Sequence, residues 1–198
     1  MKMILASSSP RRRVLLQRLN YPFDIILPNV DEDSLTPDGN PEEYCSILAE
    51  MKANDVGNQF PEALVIGADT IVVLDDHILG KPDDRSQAIS MLESLSGKTH
   101  TVYTGVTLTC SSRQLHHQFS EMTMVKFREY SRSEITYYID TCPPYDKAGS
   151  YGIQDWSCLF VKEITGCYDN VVGFPLSRFY AELKKLGINL LDSLSGTP

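Results

Sequence analysis

The chain has 198 residues, of which 42% are hydrophobic and 22% charged, an ordinary composition for one globular domain. No apolar run approaches the roughly 20 residues that a bilayer requires, and the start Met1–Leu5 is too short for a signal peptide, so we expect a cytoplasmic protein with no membrane partner. The net charge of −8 argues against nucleic acid as a partner. The net charge does not exclude a small polyanion as a ligand, because a local basic site can capture it.

The beginning of the chain predicts a strand, a helix and a second strand. Residues 3–6 are apolar and form a short buried strand. Pro10 suits the first position of a helix whose N-cap is Ser9. A second strand is expected at 23–30. The apolar face of the helix comprises Val14, Leu15, Leu16 and Leu19.

The next segment predicts a helix, a strand and a further helix. Asn40 is the cap of a helix that runs to about Val56, with proline and acidic residues in its first turn. Residues 63–74 are apolar almost throughout, which is typical of a strand that is buried on both faces. A further helix is expected at about 84–95.

The second half predicts a strand pair and more mixed structure. Residues 99–110 and about 114–127 alternate and are rich in β-branched side chains, which indicates two paired strands. Ser131 and Glu134 form a capping box that opens a helix to about Asp140.

The last segment predicts two short strands and a final helix. The strands are expected at 158–164 and 167–172, and the helix begins at Pro175 and stops at Gly187. The stripe Phe179, Leu183 and Leu186 on this helix is core. Helices that alternate with strands, together with one antiparallel stretch, predict a mixed α/β fold. One domain at 1–190 and a flexible tail at 191–198 are expected.

The cysteines and histidines show no metal-ligand spacing. The cysteines are odd in number and form no CxxC pair, so we expect reduced structural thiols at Cys45, Cys110, Cys142, Cys158 and Cys167. Packing or solvated roles are expected for His77, His100, His116 and His117.

Three consecutive arginines, 11–13, stand in the first turn of the first predicted helix. A helix N-terminus already carries about half a positive charge, so cations there are unfavourable. An anion at this end would explain them, because backbone N–H groups, hydroxyls of the preceding serines and guanidinium groups would converge on phosphate oxygens. A solvated basic turn is the alternative, but the end of a strand is where ligand sites form in α/β proteins. Glycine is absent, which excludes a P-loop and a GxGxxG turn.

Asp69 is a carboxylate within the most apolar predicted strand. Its desolvation is costly unless the group is paired, hydrogen-bonded or bound to a metal. A structural aspartate held by backbone N–H groups is the alternative reading. Gly67, two residues earlier, would let a ligand or a backbone approach closely.

Other polar candidates stand near expected loops. Two glycines and two small residues lie within 146–154, which suggests a backbone pressed against a ligand. The candidates are Asp31, Glu32, Asp33, Lys52, Lys81, Lys147 and Gln154.

With these residues the sequence resembles the Maf family of nucleotide pyrophosphatases. The matching segments follow the family order over nearly the whole chain. They are LASSSPRR at 5–12, VDED at 30–33, LAEMKA at 48–53, GADTIVV at 67–73, GKP at 80–82, LSGKTHTVYTGV at 95–106, DKAGSYGIQ at 146–154 and VVGFPL at 171–176.

The resemblance implies hydrolysis of a nucleoside triphosphate to the monophosphate and pyrophosphate, with a divalent cation, Mg²⁺ or alternatively Mn²⁺. It implies a mostly twisted sheet flanked by helices, two lobes with a central cleft (a Maf/ITPase-like fold), and a homodimer. It makes Asp69 the catalytic carboxylate. A house-cleaning or cell-division-arrest role is also attached to this family.

Three positions divide the family by substrate. Arg11, Thr70 and Gln154 resemble the branch that acts on dTTP and UTP, whereas the branch acting on 7-methyl-GTP has Trp, Gln and Glu there. A cationic methylated guanine would gain from a carboxylate and an aromatic ring. The amide of Gln154 can instead match the carbonyl and N–H groups of a neutral pyrimidine.

The resulting hypothesis places Mg²⁺ between phosphate oxygens and the carboxylates of Glu32 and Asp69, while water attacks the α-phosphorus. An ordinary aspartate has a pKa of ~3.9, too acidic for a base at neutral pH, so either burial raises it or the metal acidifies the water. The sequence leaves both open. The alternative function is a non-catalytic, nucleotide-binding regulator of cell division. The expected phosphate-binding residues are Ser7, Ser9, Arg11, Arg12, Lys52 and Lys81.

Overall fold

The computed structural model describes residues 1–36 and 39–191, except for the side chain of Asp33. Residues 192–198, most of the expected tail, lie outside the described residues. The strands are β1 (Met3–Ala6), β2 (Asp24–Ile26), β3 (Leu64–Leu74), β4 (His77–Leu79), β5 (Thr99–Cys110), β6 (Leu115–Phe127) and β7 (Val161–Thr165). The α-helices are α1 (Pro10–Gln17), α2 (Pro41–Gly57), α3 (Arg85–Leu95), α4 (Arg132–Thr141), α5 (Tyr168–Val172) and α6 (Leu176–Lys185).

Within the described residues the strands form one sheet in the order β2-β1-β3-β5-β6-β7, and β4 pairs with the end of β3. β1 is parallel to β2 and β3, and the other pairs are antiparallel. The predicted mixed α/β fold, a sheet flanked by helices, is confirmed. The division into two lobes stays a prediction.

The central strand β3 is buried on both faces, as its sequence predicts. Because side chains alternate along a strand, its residues divide between the two faces of the sheet. Leu64, Ile66 and Ala68 belong to the large core that also contains side chains of α1, α3, α4 and α6. Val65 belongs to a smaller core on the face that α2 covers.

Two glycines allow α2 to lie directly on the sheet. A Cβ at Gly67 would overlap the carbonyl oxygen of Ala49 and lie 2.7 Å from the amide nitrogen of Ala53, both on α2. A Cβ at Gly105 of β5 would lie 2.6 Å from the carbonyl oxygen of Cys45. The close approach expected at Gly67 is therefore that of a helix backbone, which fixes the height of α2 above β3.

Three strand predictions are wrong in part or in full. The strand expected at 23–30 is only Asp24–Ile26. The segment expected as a strand at 158–164 begins as a 3-10 helix, Trp156–Phe160, because the side chain of Asp155 caps it, and the strand starts at Val161. The strand expected at 167–172 is the helix α5, which has an acidic residue in its first turn and ends at Gly173.

The sequence patterns also missed one strand and misjudged one side chain. β4 follows a turn in which Asp75 and Asp76 adopt positive φ angles of 49° and 65°. Aspartate tolerates this conformation, so the hairpin forms without the glycine that usually signals it. Val14, expected on the buried face of α1, is 50% exposed, whereas Leu15 and Leu16 are buried.

The remaining expectations concern cysteines, histidines and membranes. All five cysteines are free thiols, as predicted. His100 is buried and packs edge-on against Phe127, and His116 and His117 contact Glu50 and Glu182. Across residues 1–36 and 39–191, no helix combines the length and the hydropathy needed to span a bilayer.

Substitution of Gly67 by alanine tests how α2 is seated. Because the added methyl would overlap the backbone of α2, we expect Gly67→Ala to lower the free energy of unfolding by about 1–3 kcal/mol. Urea unfolding measures this change. Gly80→Ala is the control, since a Cβ there meets no atom within 4 Å. Equal stability of the two variants would contradict the described packing.

Candidate active site

A cleft of about 610 Å³ opens where the parallel part of the sheet ends. Ala6, the last residue of β1, pairs with both Ile26 and Gly67. β3 continues beyond this point, so Asp69 and Thr70 lie past the carboxyl ends of β1 and β2. Ligand sites of α/β sheets commonly form at this edge.

The residues that the sequence assigns to catalysis, substrate specificity, phosphate binding or metal binding all line this one cleft. They come from loops after β1, β2 and β4, from the N-terminus of α1, from α2, from β3 and from the segment 146–155. They are Ser7, Ser9, Arg11, Arg12, Glu32, Lys52, Asp69, Thr70, Lys81 and Gln154. The structure therefore brings them together, while their individual roles stay predictions.

Lys52 is the centre of the charged group. Its ammonium, on α2, lies 2.6 Å from Oδ1 of Asp69 and 2.8 Å from Oε1 of Glu32. Lys52 and Asp69 are 6% and 8% exposed, whereas Glu32 is half-buried. The cost of burying Asp69 is thus offset by an ion pair with Lys52, the partner that the sequence did not identify.

Glu32 and Lys81 form the outer part of this group. Partial burial acts to raise the pKa of Glu32, but the hydrogen bond and charge of Lys52, together with Lys81 and Arg12, lower that pKa below its ordinary value. Lys81 is exposed and lies 4.0 Å from Glu32. Asp31 is exposed and does not line the cleft. The side chain of Asp33 lies outside the described part of the structure.

The guanidinium of Arg12 is buried and held by acceptors from three parts of the chain. Nε donates to the carbonyl of Gly173 at 2.9 Å, Nη2 to Oγ1 of Thr70 at 3.0 Å and Nη1 to Oγ of Ser7 at 3.4 Å. Burial lowers the pKa of Arg12, and the charge of Asp69 opposes that shift. A guanidinium has five N–H donors, so these bonds leave capacity for a phosphate.

Arg11 is held at the rim of the cleft by a carboxylate. Its Nη1 lies 2.6 Å from Oδ2 of Asp146, whose Oδ1 accepts from Lys147 at 2.7 Å. Burial acts to raise the pKa of Asp146, but the hydrogen bonds from Lys147 and Arg11 lower it. Arg13 is exposed and borders a separate shallow depression. The cationic helix end thus has partners within the protein, and only two of its three arginines line the cleft.

The serines after β1 shape the entrance to α1. The Oγ of Ser7 accepts from the backbone N–H of Ser9 at 3.1 Å. The Oγ of Ser9 accepts from the backbone N–H of Arg12 at 3.4 Å, which confirms Ser9 as the N-cap. The helix N-terminus therefore opens into the cleft as expected.

Gln154 lies on a turn that is anchored in the core. Residues 152–155 are closed by a bond from the N–H of Asp155 to the carbonyl of Gly152 at 2.9 Å. A Cβ at Gly152 would lie 2.8 Å from Cε of Lys147, so this glycine is close to protein atoms, as is Gly149, which contacts Val72. Gly152 nevertheless lines the cleft, so the expectation that the backbone of this segment presses against a ligand stays a prediction.

A buried histidine supports the same segment. Nε2 of His100 lies 2.8 Å from the hydroxyl of Tyr151. Burial lowers the pKa of His100 to about 4, so the ring is neutral at neutral pH. The hydroxyl of Tyr138 also accepts from the N–H of Gly152 at 3.2 Å. Two elements of the core thus fix the loop that carries Gln154.

The charges of the lining are nearly balanced in a chain of net charge −8. Among the described residues, five cations and four carboxylates line the cleft: Arg11, Arg12, Lys52, Lys81 and Lys147, with Glu32, Asp69, Asp146 and Asp155. An apolar wall, which the sequence reading missed, completes it: Leu27, Pro28, Val30, Val102, Ile153 and Val171. The charged side chains can therefore hold a polyanion and the apolar side chains a ring in the same cavity.

The glutamate and aspartate at the centre are suited to a divalent cation. Glu32 and Asp69 direct oxygens at one point, the Lys52 ammonium, and Mg²⁺ in phosphate-binding sites is commonly held by one or two carboxylates plus substrate phosphates. In residues 1–36 and 39–191, no cluster of three or more His, Cys, Asp or Glu side chains is placed to hold a metal.

The chain is similar in sequence to proteins of one known family. The sequence model of one family, described as Maf-like protein, matches residues 2–186. A protein of Carboxydothermus hydrogenoformans named dTTP/UTP pyrophosphatase is 46% identical, over 94% of this chain and 100% of its own length. A protein of the same name from Bacillus cytotoxicus is 47% identical, over 93% of this chain and 95% of its own length.

Among solved structures, similarity is more distant. A nucleoside-triphosphatase / dITP/XTP pyrophosphatase from Mycobacterium abscessus is 12% identical with a TM-score of 0.40, over 64% of this chain and 74% of that one. The Staphylococcus aureus Ham1 protein is 12% identical with a TM-score of 0.43, over 64% of this chain and 72% of that one.

Replacement of Lys52 by methionine tests the central ion pair. Because Asp69 would keep a buried charge without its partner, we expect Lys52→Met to lower the free energy of unfolding at pH 7 by about 3 kcal/mol. Lys52 also lowers the pKa of Glu32, so the stability that comes from the Lys52–Glu32 contact is present above the unfolded pKa of about 4.3 and is lost as pH falls through the folded-state value. The deficit should therefore shrink in acid.

Lys81→Met is the matched control, because Lys81 contacts the same glutamate from the exposed side. It should cost less than about 1 kcal/mol. Urea unfolding of both variants between pH 7 and pH 3 measures the difference. Equal costs at pH 7 would show that Lys52 does not compensate Asp69.

Proposed function

The chain belongs to the family of Maf-like proteins, and on that premise we propose that it is a hydrolase that converts dTTP and UTP to the monophosphate and pyrophosphate. The observation that carries this proposal is the convergence of two arginines, three lysines and two central carboxylates on one cleft. Arginine and lysine are suited to phosphate oxygens, and the carboxylates are suited to a cation and a water molecule.

The triphosphate is proposed to lie against the cationic wall of the cleft. Arg12, with donors in excess of its protein acceptors, and the N-terminus of α1 would bind phosphate oxygens. Lys52 and Lys81, which both contact Glu32, would bind further phosphate oxygens. The burial of Arg12, Lys52 and Asp69 strengthens their electrostatic contacts, because charges interact more strongly away from bulk water.

Asp69 is proposed to orient the attacking water. Its Oδ1 accepts from Lys52, which fixes the carboxylate, and a carboxylate has further acceptor sites for a water molecule. Glu32 and Asp69 would hold a divalent cation, which when bound polarises phosphate oxygens and acidifies water. Attack on the α-phosphorus then breaks the α–β phosphoanhydride bond, and pyrophosphate leaves with the bridging oxygen.

The base is proposed to lie between the apolar wall and Gln154. The Gln154 side chain is exposed at the cleft and presents both a donor and an acceptor, which match the N–H and carbonyl groups of uracil or thymine. Arg11 at the rim is near the same segment through Asp146. Cytoplasmic location, a homodimer, Mg²⁺ or Mn²⁺ as the cation, and a role in cell division stay predictions.

Substitution of Asp69 by asparagine tests the catalytic assignment. Asp69→Asn keeps the shape but removes the charge, and we expect the rate of pyrophosphate release from UTP with Mg²⁺ to fall by about 10²–10⁴. Asp75→Asn, an exposed carboxylate just after β3, is the control and should turn over UTP normally. Activity of Asp69→Asn near the wild-type rate would contradict the assignment. A wild type that binds UTP without releasing pyrophosphate would favour the non-catalytic regulator.

Substitution of Gln154 by glutamate tests recognition of the base. A carboxylate facing pyrimidine carbonyls should lower kcat/KM for dTTP and UTP about tenfold, which is about 1.4 kcal/mol. Gln17→Glu adds the same charge at the far end of α1 and should have little effect. Inhibition by pyrophosphate, which has no base, should be similar in Gln154→Glu and wild type. If pyrophosphate binding weakens as much as UTP use does, Gln154 acts through charge and does not read the base.

A further inference from the structure

Behind Arg12, a line of buried polar groups extends from the cleft into the core. Thr104 of β5 is fully buried and stands directly opposite Thr70 of β3 in the strand register. Their hydroxyl oxygens are 2.9 Å apart. Oγ1 of Thr104 also lies 3.4 Å from the carbonyl oxygen of Asn170, on α5. A hydroxyl in this position is costly to bury unless each bond is made.

The hydroxyl protons can be assigned in two ways. Thr70 donates to Thr104, which donates to Asn170, or Thr104 donates to Thr70, which donates to the carbonyl of Gly173 at 3.3 Å. A hydroxyl has one proton and two lone pairs. In both arrangements the proton of Thr70 is directed at a protein acceptor and one of its lone pairs accepts from Nη2 of Arg12.

Asn170 connects the carbonyl of Gly173, which also accepts from Arg12, to the same network. Its Nδ2 is 3.1 Å from the carbonyl of Val102, 3.2 Å from that of Glu121 and 3.0 Å from Oγ1 of Thr123. These bonds tie α5 to β5 and β6. Gly173, at the end of α5, supplies the carbonyl that accepts from Nε of Arg12.

We propose that Thr104 is a positioning residue that acts through Thr70 to hold the guanidinium of Arg12 at the wall of the cleft. Two of the three acceptors of Arg12 are tied to Thr104: the hydroxyl of Thr70 contacts it directly, and the carbonyl of Gly173 belongs to the end of α5, where the carbonyl of Asn170 contacts it. The catalytic consequence rests on the proposed function. The placement of Arg12 itself does not.

The proposal also changes the role of Thr70. Its position is one of the three that separate the substrate branches, yet its hydroxyl is engaged by Arg12, Thr104 and Gly173. Thr70 therefore influences the substrate through the geometry of Arg12, and a base at the cleft would have to compete with these bonds for its proton.

Replacement of Thr104 by valine removes the hydroxyl and keeps the branched shape. We expect KM for UTP to rise about five- to tenfold, the size of one lost hydrogen bond, with kcat nearly unchanged. Thr104→Ser restores the hydroxyl and should return KM to within about twofold of wild type. Thr107→Val is the matched control on the same strand, because Thr107 is equally buried and its hydroxyl accepts from Gln118, away from Arg12.

A double-mutant cycle separates positioning from general damage to the fold. If Thr104 acts through Arg12, Thr104→Val should have little further effect in an Arg12→Lys background, since lysine cannot keep the forked contacts. An effect of Thr104→Val that is equally large in both backgrounds would overturn the proposal, as would an equal rise of KM in Thr107→Val.

The position of Arg12 can also be measured without turnover. The ¹⁵N–¹H signal of Arg12 Nε, which donates to Gly173, should be protected from exchange in wild type and Thr107→Val and should lose that protection in Thr104→Val. An unchanged signal in Thr104→Val would overturn this inference alone. Failure of the wild type to release pyrophosphate from UTP would overturn the proposed function alone.

Discussion

The buried ammonium of Lys52 is the contact on which the rest of the site depends. It joins a helix, the central strand and the loop after β2, because Asp69 and Glu32 lie within hydrogen-bonding distance of the same nitrogen. A buried ion pair adds little net stability over apolar residues of the same size. Stability alone therefore does not explain two carboxylates and a lysine at this point, whereas a site that must hold charged groups does.

The position of Lys52 follows from the absence of two side chains. Gly67 and Gly105 let the backbone of α2 lie on β3 and β5, so that the lysine reaches Asp69 two residues farther along the strand. The period of two along β3 then directs Asp69 toward α2 and Thr70 toward Arg12 on the opposite face. One strand thus supplies neighbouring residues to the acidic and the cationic parts of the cleft.

The sequence predicted most of the fold and most of the polar residues that line the cleft. For the fold, the length of a segment decided whether its prediction was right. Long periodic segments such as β3, β5 and β6 were predicted nearly to their ends, because burial on two faces or alternation leaves a strong pattern. Short segments failed: Val171 and Val172 have strand-forming side chains, but Asp169 and Gly173 make that segment a helix. β4 was missed because its turn uses two aspartates with positive φ.

For the site, the sequence identified which residues converge but not how they pair. Asp69 was found through the cost of a carboxylate in an apolar strand, yet its partner Lys52 lies 17 residues earlier on a helix whose height above the sheet no local pattern specifies. The cations of α1 suggested an external anion, but Asp146, 135 residues away, already contacts Arg11. Thr104 left no local signal, since threonine in a buried strand is unremarkable until its cross-strand partner is known.

These pairings define what binding of a triphosphate requires. Five cations and four carboxylates of the described residues line the cleft, and Arg11, Lys52 and Lys147 contact acids there. Phosphate oxygens must therefore share or replace carboxylates that are already bonded to these cations. Arg12 is the exception among these cations, because the described chain gives it only neutral oxygens and no carboxylate partner. That is the physical reason its orientation needs a hydrogen-bonded support from the core.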